Sequence, residues 1–472
     1  MYDLVIVGGG IAGLSAALSA PADARIVVVD KGEAGAGSSP LAQGGLAAAV
    51  APEDSVALHV QDTLAAGAGL CDEPTVVDLC TAGPGAVDWL LDQGCDFDRG
   101  SDGAIDLARE GGQTVARSVH WRDATGAEIV RALRAAVRDR AGDRVTRITA
   151  RATNLIVVGD RCVGVQTPEA AFLGRVTLMA TGGAGALWGS TTNAPGATGD
   201  GIALALEAGA QVADLEFMQF HPTVLTDGRP QSVLLTEALR GAGARLINER
   251  GERFVEELGP RHVVAKAILG QGAVFLDCRD IPGLEERFPT VIEGARGRGL
   301  DPVTEILPVS PAAHYFVGGV AADAYGRTSM PGLAAAGECA STGMHGANRM
   351  AGNSLLEAVV VGRRVGAVIM DEPVPEHGAR VSFAAVEDID PRIPAIMWAG
   401  AGPIRDEDGL RAAGQALSTL PQSPHRSLCL AVVRAARARA ESRGVHIRSD
   451  YPEPEPAFAV RSFDRAPRAV AD

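Results

Sequence analysis

Two short apolar runs at residues 4–7 and 26–29 bracket a stretch of small and apolar residues, and the first run breaks on Gly8-x-Gly10-x-x-Gly13. The pattern predicts strand, tight turn, helix and second strand, the βαβ unit of a dinucleotide-binding fold. A glycine-rich segment follows at 31–49, then a mostly helical region to about Asp98 and a helix near 128–140. Residues 153–165 alternate as hairpin strands. RVTLMA at 175–180 reads as a buried strand running into Thr181-Gly182-Gly183, and Asp200-Gly201 opens another helix. GLAAAG at 332–337 is one more strand-to-turn signal, closed by Glu338, and the next helix starts near Asn353. Pro373 and Pro375 mark a linker, and from about Phe383 to Gly444 the chain reads as Ala- and Arg-rich helices. The tail after Tyr451, with Pro452, Pro454 and Pro456, is expected to be loosely held.

The glycine turn has a specific physical content. Gly8 permits the tight turn, Gly10 lets the backbone approach a pyrophosphate, and Gly13 lets helix and strand pack closely. The pyrophosphate would sit on the helix N-terminus, where unpaired N–H groups point outward. Asp30, at the end of the second strand, is placed to accept a ribose 2′-OH.

Composition narrows the class. With 472 residues and 46% apolar content the chain can bury the cores of two or three domains. A net charge of −15 argues against a broad basic surface for nucleic acid, so an anionic ligand needs a local basic pocket. No apolar stretch is long enough to span a bilayer, and no targeting segment precedes the first strand, so a cytoplasmic chain is expected. The seven scattered cysteines form no CxxC pair, which argues against an iron–sulfur cluster or redox disulfide. The spacings of a zinc site are also missing, so no metal is expected.

Six short segments between 107 and 357 carry candidate chemistry: LAREGG, FMQFHPT, LLTEALRG, PRH, PAAHYFVGG and MHGANRMAGNSLLE. They supply His221, Thr236, Glu237, Arg240, Arg261, His314, His345 and Arg349 in loop-like contexts. One histidine or arginine in a loop is usually only a solvated or hydrogen-bonded side chain. Together, however, they make the kit a dicarboxylate needs: a bidentate arginine for one carboxylate, His and Thr donors for the other, and a further cation for proton transfer.

In this order, and with AQGGLAA at 42–48 and ESRGVHIRSDYPE at 441–453, the segments resemble the succinate dehydrogenase/fumarate reductase flavoprotein superfamily over nearly the whole chain. The resemblance implies an α/β Rossmann-like FAD-binding domain, with an inserted α+β capping domain and a C-terminal helical bundle. Their expected bounds are 1–213 with 314–372, then 214–313, then a shortened 383–472. It implies that Gly8, Gly10 and Gly13 hold the FAD pyrophosphate, and Asp30, with Lys31 beside it, the adenosine ribose. Ser38, Gln43, Gly44 and Gly45 would line the flavin, and Asp200, Glu338, Ser354 and Leu355 would complete the FAD contacts. His221, Thr236, His314 and Arg349 would clamp the substrate carboxylates, with Glu237 beside them, and Arg261 matches the proton-transferring arginine.

Two positions separate branches of the superfamily. Members that attach FAD covalently do so through a histidine before AQGG; that position is Ser38, so noncovalent FAD is expected. Glu110 resembles the residue that faces a substrate ammonium in the branch oxidising L-aspartate to iminoaspartate. That branch passes electrons to O₂, giving H₂O₂, or to fumarate, giving succinate. Its product would enter NAD biosynthesis through a quinolinate synthase. A soluble fumarate reductase and a noncatalytic flavin-binding subunit are the alternatives. His262 stands where the superfamily often has Asp, leaving the carboxylate neighbour of Arg261 in question.

Overall fold

The computed structural model describes residues 1–32, 37–226, 232–374 and 388–465. The strand Tyr2–Val7 pairs in parallel with Ile26–Asp30 on one side and Ala171–Met179 on the other. Val145–Thr149 extends the sheet beyond Ile26–Asp30, and Leu333–Ala335 joins the end of Ala171–Met179, both in parallel. The hairpin Asn154–Val158 and Arg161–Gln166 completes seven strands with antiparallel pairing.

The period of two decides what each face buries. Leu4 and Ile6 point into one core with Ile11, Leu133 and Val359, under the helices Ile11–Ser19, Thr125–Ala141 and Asn353–Val368. Val5 and Val7 point into the other core with Ile202, Leu206, Met397 and Leu428. Burial on both faces explains why the first strand reads as a continuous apolar run rather than an alternation. The abundance of small residues has a cause in the same place. A Cβ at Gly362 would lie 2.4 Å from the Ala12 carbonyl oxygen, and one at Gly366 would lie 2.1 Å from that of Ala16. Larger residues would force the first and the Asn353–Val368 helices apart.

Between Ala171–Met179 and Leu333–Ala335 the chain inserts a second, antiparallel sheet. Its order is Val233–Leu234, Met218–Leu225, Leu307–Phe316, Val274–Asp277, Arg245–Asn248. With the helices Arg261–Leu269 and Pro289–Arg296 it builds a core of its own from Leu246, Val264, Leu276 and Val291. Three C-terminal helices, Ile393–Ala401, Glu407–Ser418 and Pro424–Ala438, pack on one another and on Asp200–Glu207. Asp406 and Ser423 cap the second and third by accepting from the N–H groups of Gly409 and Arg426.

The tail departs from expectation. Phe463–Asp464 pairs antiparallel with Val212–Ala213, Arg461 forms a 2.7 Å ion pair with Asp214, and Ser462 donates to Glu216 at 2.7 Å. Its prolines rule out a long α-helix but say nothing about long-range ion pairs. Pro375 and the opening of the expected C-terminal domain at 383 lie outside the described residues. Among the described residues no helix is long and apolar enough to cross a membrane.

Candidate active site

A cavity of about 580 Å³ runs from the first glycine turn to the inserted sheet. At one end the turn is built as its sequence requires. Gly8 has φ +109°, and a Cβ there would sit 2.2 Å from the Ala180 carbonyl oxygen. Gly10 caps the helix Ile11–Ser19 without a side-chain hydrogen bond, leaving that N-terminus facing the cavity. Gly352 (φ +84°) does the same for Asn353–Val368, bringing Ser354 and Leu355 to the cavity wall. Asp30 accepts from the Gly9 N–H at 3.1 Å. Ser38, Gln43, Gly44 and Gly45 line the middle, with Gln43 Nε2 donating to the Leu234 carbonyl at 3.2 Å.

The far end is cationic. Arg261, Arg349, His221, His314 and Thr236 converge there. The His221 and His314 rings meet edge to face at 5.0 Å, and Thr192 Oγ1 lies 2.8 Å from His314 Nδ1. Burial first, and then neighbouring Arg261, pushes both imidazoles well below their usual pKa. They are neutral near pH 7 and serve as hydrogen-bonding groups. Burial likewise lowers Arg349 to about 10, where it remains a cation; its Nε has no partner among the described residues. Two carboxylates face this end. Glu110 is 5% exposed and accepts from the Gly45 N–H at 2.9 Å. Burial above all raises its pKa. Glu338 accepts from the Phe316 N–H at 2.8 Å, and burial raises it to about 7.

Behind the cavity wall Arg261 Nε donates to Glu237 Oε2 at 2.7 Å, and Arg240 Nη2 lies 3.7 Å from Glu237 Oε1. Burial disfavours the Glu237 anion, but the two guanidinium groups prevail and hold its pKa below the usual range. A carboxylate thus sits between two arginines, one of which touches the cavity.

The FAD binding domain family matches residues 3–355, and the family described as fumarate reductase flavoprotein C-term matches 424–462. L-aspartate oxidase of Caulobacter vibrioides is 44% identical over 97% of this chain and 95% of its own length. That of Streptomyces coelicolor is 42% identical over 95% and 88%. The chain belongs to the L-aspartate oxidase family. Among solved structures, a mutant of E. coli quinol fumarate reductase FrdA has TM-score 0.88 at 27% identity, covering 100% of this chain and 97% of that one.

FAD is the cofactor of this flavoprotein family, and the cavity fits it. The Gly8–Gly10 turn leaves no room for a Cβ at Gly8, and two helix N-termini capped by glycines open onto the cavity to receive an anion, with Ser39 Oγ reaching only the Ile11 N–H at 3.4 Å.

Several candidate residues are placed differently from expectation. Gly13 does not line the cavity where the resemblance put it on the pyrophosphate; a Cβ there would lie 2.2 Å from the Gly8 carbonyl oxygen, which is the close helix–strand packing its spacing called for. Lys31 lines the cavity, but its ammonium is drawn to Asp200 at 2.7 Å. Asp200 itself is set back, collecting Lys31, Arg151 and His425. Burial opposes its ionisation, yet these partners hold its carboxyl far below the usual range. Glu237 also stands back from the wall, turned to Arg261. It supplies the carboxylate neighbour that His262 does not; His262 is lowered to about 4, mainly by burial.

The sequence reading missed Gln219, Thr192, Tyr315 and Arg134. Gln219 accepts from Arg261 at 2.9 Å and donates to the Asn348 side chain and the Arg349 carbonyl. It stands two residues from His221 on one strand, so a strand reading of FMQFHPT would have placed both on one face. Arg134 lines the cavity from the helix Thr125–Ala141, where only its neighbourhood in space marks it.

Proposed function

We propose that the cavity's cationic end binds L-aspartate and that this chain oxidises it to iminoaspartate, the reaction of its family. The observation that carries this reading is Glu110. A buried carboxylate beside a dicarboxylate clamp is costly unless a cation meets it, and the ammonium group of aspartate is such a cation. Arg349 with His314 would take one carboxylate and His221 with Thr236 the other, holding the Cα–H in a fixed direction. Bound FAD supplies the two-electron chemistry, accepting from aspartate and passing electrons to O₂ or fumarate. Arg261 moves the proton. Glu237 holds its guanidinium beside the cavity and joins it to Arg240.

Gly8, Gly10, Asp30, Ser38, Gln43, Gly44, Gly45, Glu338, Ser354 and Leu355 would hold FAD, with Lys31 and Asp200 acting together at one edge. With Ser38 in place of the linking histidine, FAD is held noncovalently. We assign 1–213 with 314–372 to the FAD-binding domain, 214–313 to the cap and 383–472 to the helical domain. A quinolinate-forming enzyme would consume the product. Seven free thiols fit a reducing cytoplasm.

In air, the holoprotein with L-aspartate should release H₂O₂ together with oxaloacetate and ammonia from hydrolysed iminoaspartate. Succinate, which has no ammonium group, should release none. Peroxide from succinate but not aspartate would overturn the reading.

A further inference from the structure

Two residues of the 345–357 segment, His345 and Glu357, do not line the cavity, yet both are buried. They meet beneath Tyr315. The Tyr315 hydroxyl lies 3.1 Å from His345 Nε2 and donates to Glu357 Oε2 at 3.5 Å. His345 Nε2 is 3.0 Å from the same carboxylate oxygen, and Thr342 donates to the other. The upper side of the Tyr315 ring lies against the Arg349 guanidinium, with Cζ 4.7 Å from the ring centroid. Tyr315 and Arg349 both line the cavity.

We propose that Tyr315, pinned by Glu357 and His345, is the positioning residue that orients Arg349 to receive a substrate carboxylate. The proposal rests on the reading that Arg349 binds a carboxylate. A guanidinium with its Nε unpartnered has nothing at that nitrogen to fix its plane. A flat aromatic face beneath it fixes that plane by cation–π attraction and leaves the N–H edges for a bidentate contact. The pinned hydroxyl in turn fixes the ring. Burial, reinforced by Glu357, keeps the phenol protonated and so a donor.

The test titrates the holoprotein with succinate, followed by perturbation of the flavin spectrum, alongside aspartate kinetics. Tyr315→Phe keeps the ring but frees it. It should raise the succinate Kd and the aspartate KM by about 10- to 150-fold, the scale of one hydrogen bond to a charged group. FAD content, melting temperature and kcat should stay near wild type. Tyr315→Leu, which also removes the aromatic face, should lose more. The Tyr315→Phe/Glu357→Gln pair should bind succinate within about two-fold of the weaker single variant, because both act through one contact. Wild-type succinate affinity in Tyr315→Phe, or a loss matched by lost FAD, would overturn the proposal. So would single losses that multiply in the double variant. A wild-type holoprotein that binds no dicarboxylate at all would instead overturn the carboxylate-clamp reading on which it stands. If Glu357→Gln does not fold, the near-isosteric Tyr315→Phe decides alone.

Discussion

Glu110 takes its hydrogen bond from a backbone N–H, and on the proposed reading the substrate ammonium is its ion-pair partner. Removing one partner of a buried pair costs about 3 kcal/mol or more, on the order of 100-fold in rate. Glu110→Gln should therefore lower kcat/KM for aspartate on the order of 100-fold while reducing fumarate turnover much less, measured on one preparation. Equal losses would contradict its role. The raised pKa adds a pH signature: aspartate affinity should strengthen as pH rises through the Glu110 titration, and Glu110→Gln should lose that limb. Glu338 makes a stability prediction. Its folded pKa of about 7 exceeds the unfolded value, so the folded state binds the extra proton between roughly pH 4.5 and 7. Stability of the FAD-free protein should fall as pH rises through that window, and Glu338→Gln should flatten the slope in denaturant titrations. The clamp residues were legible because each sits in a short small-residue motif whose chemistry is unusual. Gln219 and Tyr315 were not, because each acts through another side chain that only the fold brings near.

Among the elements, the glycine turn admits no side chain at its first glycine. Gly8→Ala would place a Cβ 2.2 Å from backbone and force a methyl group onto φ +109°. It should abolish FAD retention, read as a collapsed flavin-to-protein absorbance ratio; a variant that stays yellow would contradict the cradle. The sequence marked this turn, the hairpin, and the helices opening at Asp200 and Asn353, since each has local turn or cap chemistry. It missed the anchored tail, whose order comes from Arg461 and Ser462 reaching Asp214 and Glu216 far away in the chain.

Over the whole molecule, the cavity lies where the inserted sheet meets the parallel one, and a helix cap is among the contacts that tie the two layers. Asp123 is 2% exposed and caps the helix Pro289–Arg296 by accepting from the N–H groups of Thr290 and Val291 at 3.2 and 3.1 Å. Asp123→Ala leaves those donors unpaired. The loss should be about 1–2 kcal/mol of helix anchoring, seen as faster amide exchange across 289–296 with a raised aspartate KM. Unchanged exchange would show that the cap is held elsewhere. The inserted second layer was legible in the motifs that carry the family resemblance. The latch between the layers was not, because an aspartate in a loop has no sequence mark of the helix it caps.

On the proposed reading the cavity oxidises an amine held between two carboxylate sites. Anaerobic mixing of the yellow holoprotein with L-aspartate, followed by flavin absorbance beside a succinate control, tests it most directly. Aspartate should bleach the flavin, succinate should not, and admitting air should restore the colour. Flavin that stays oxidised with aspartate, while reduced flavin is reoxidised by fumarate, would contradict that reading.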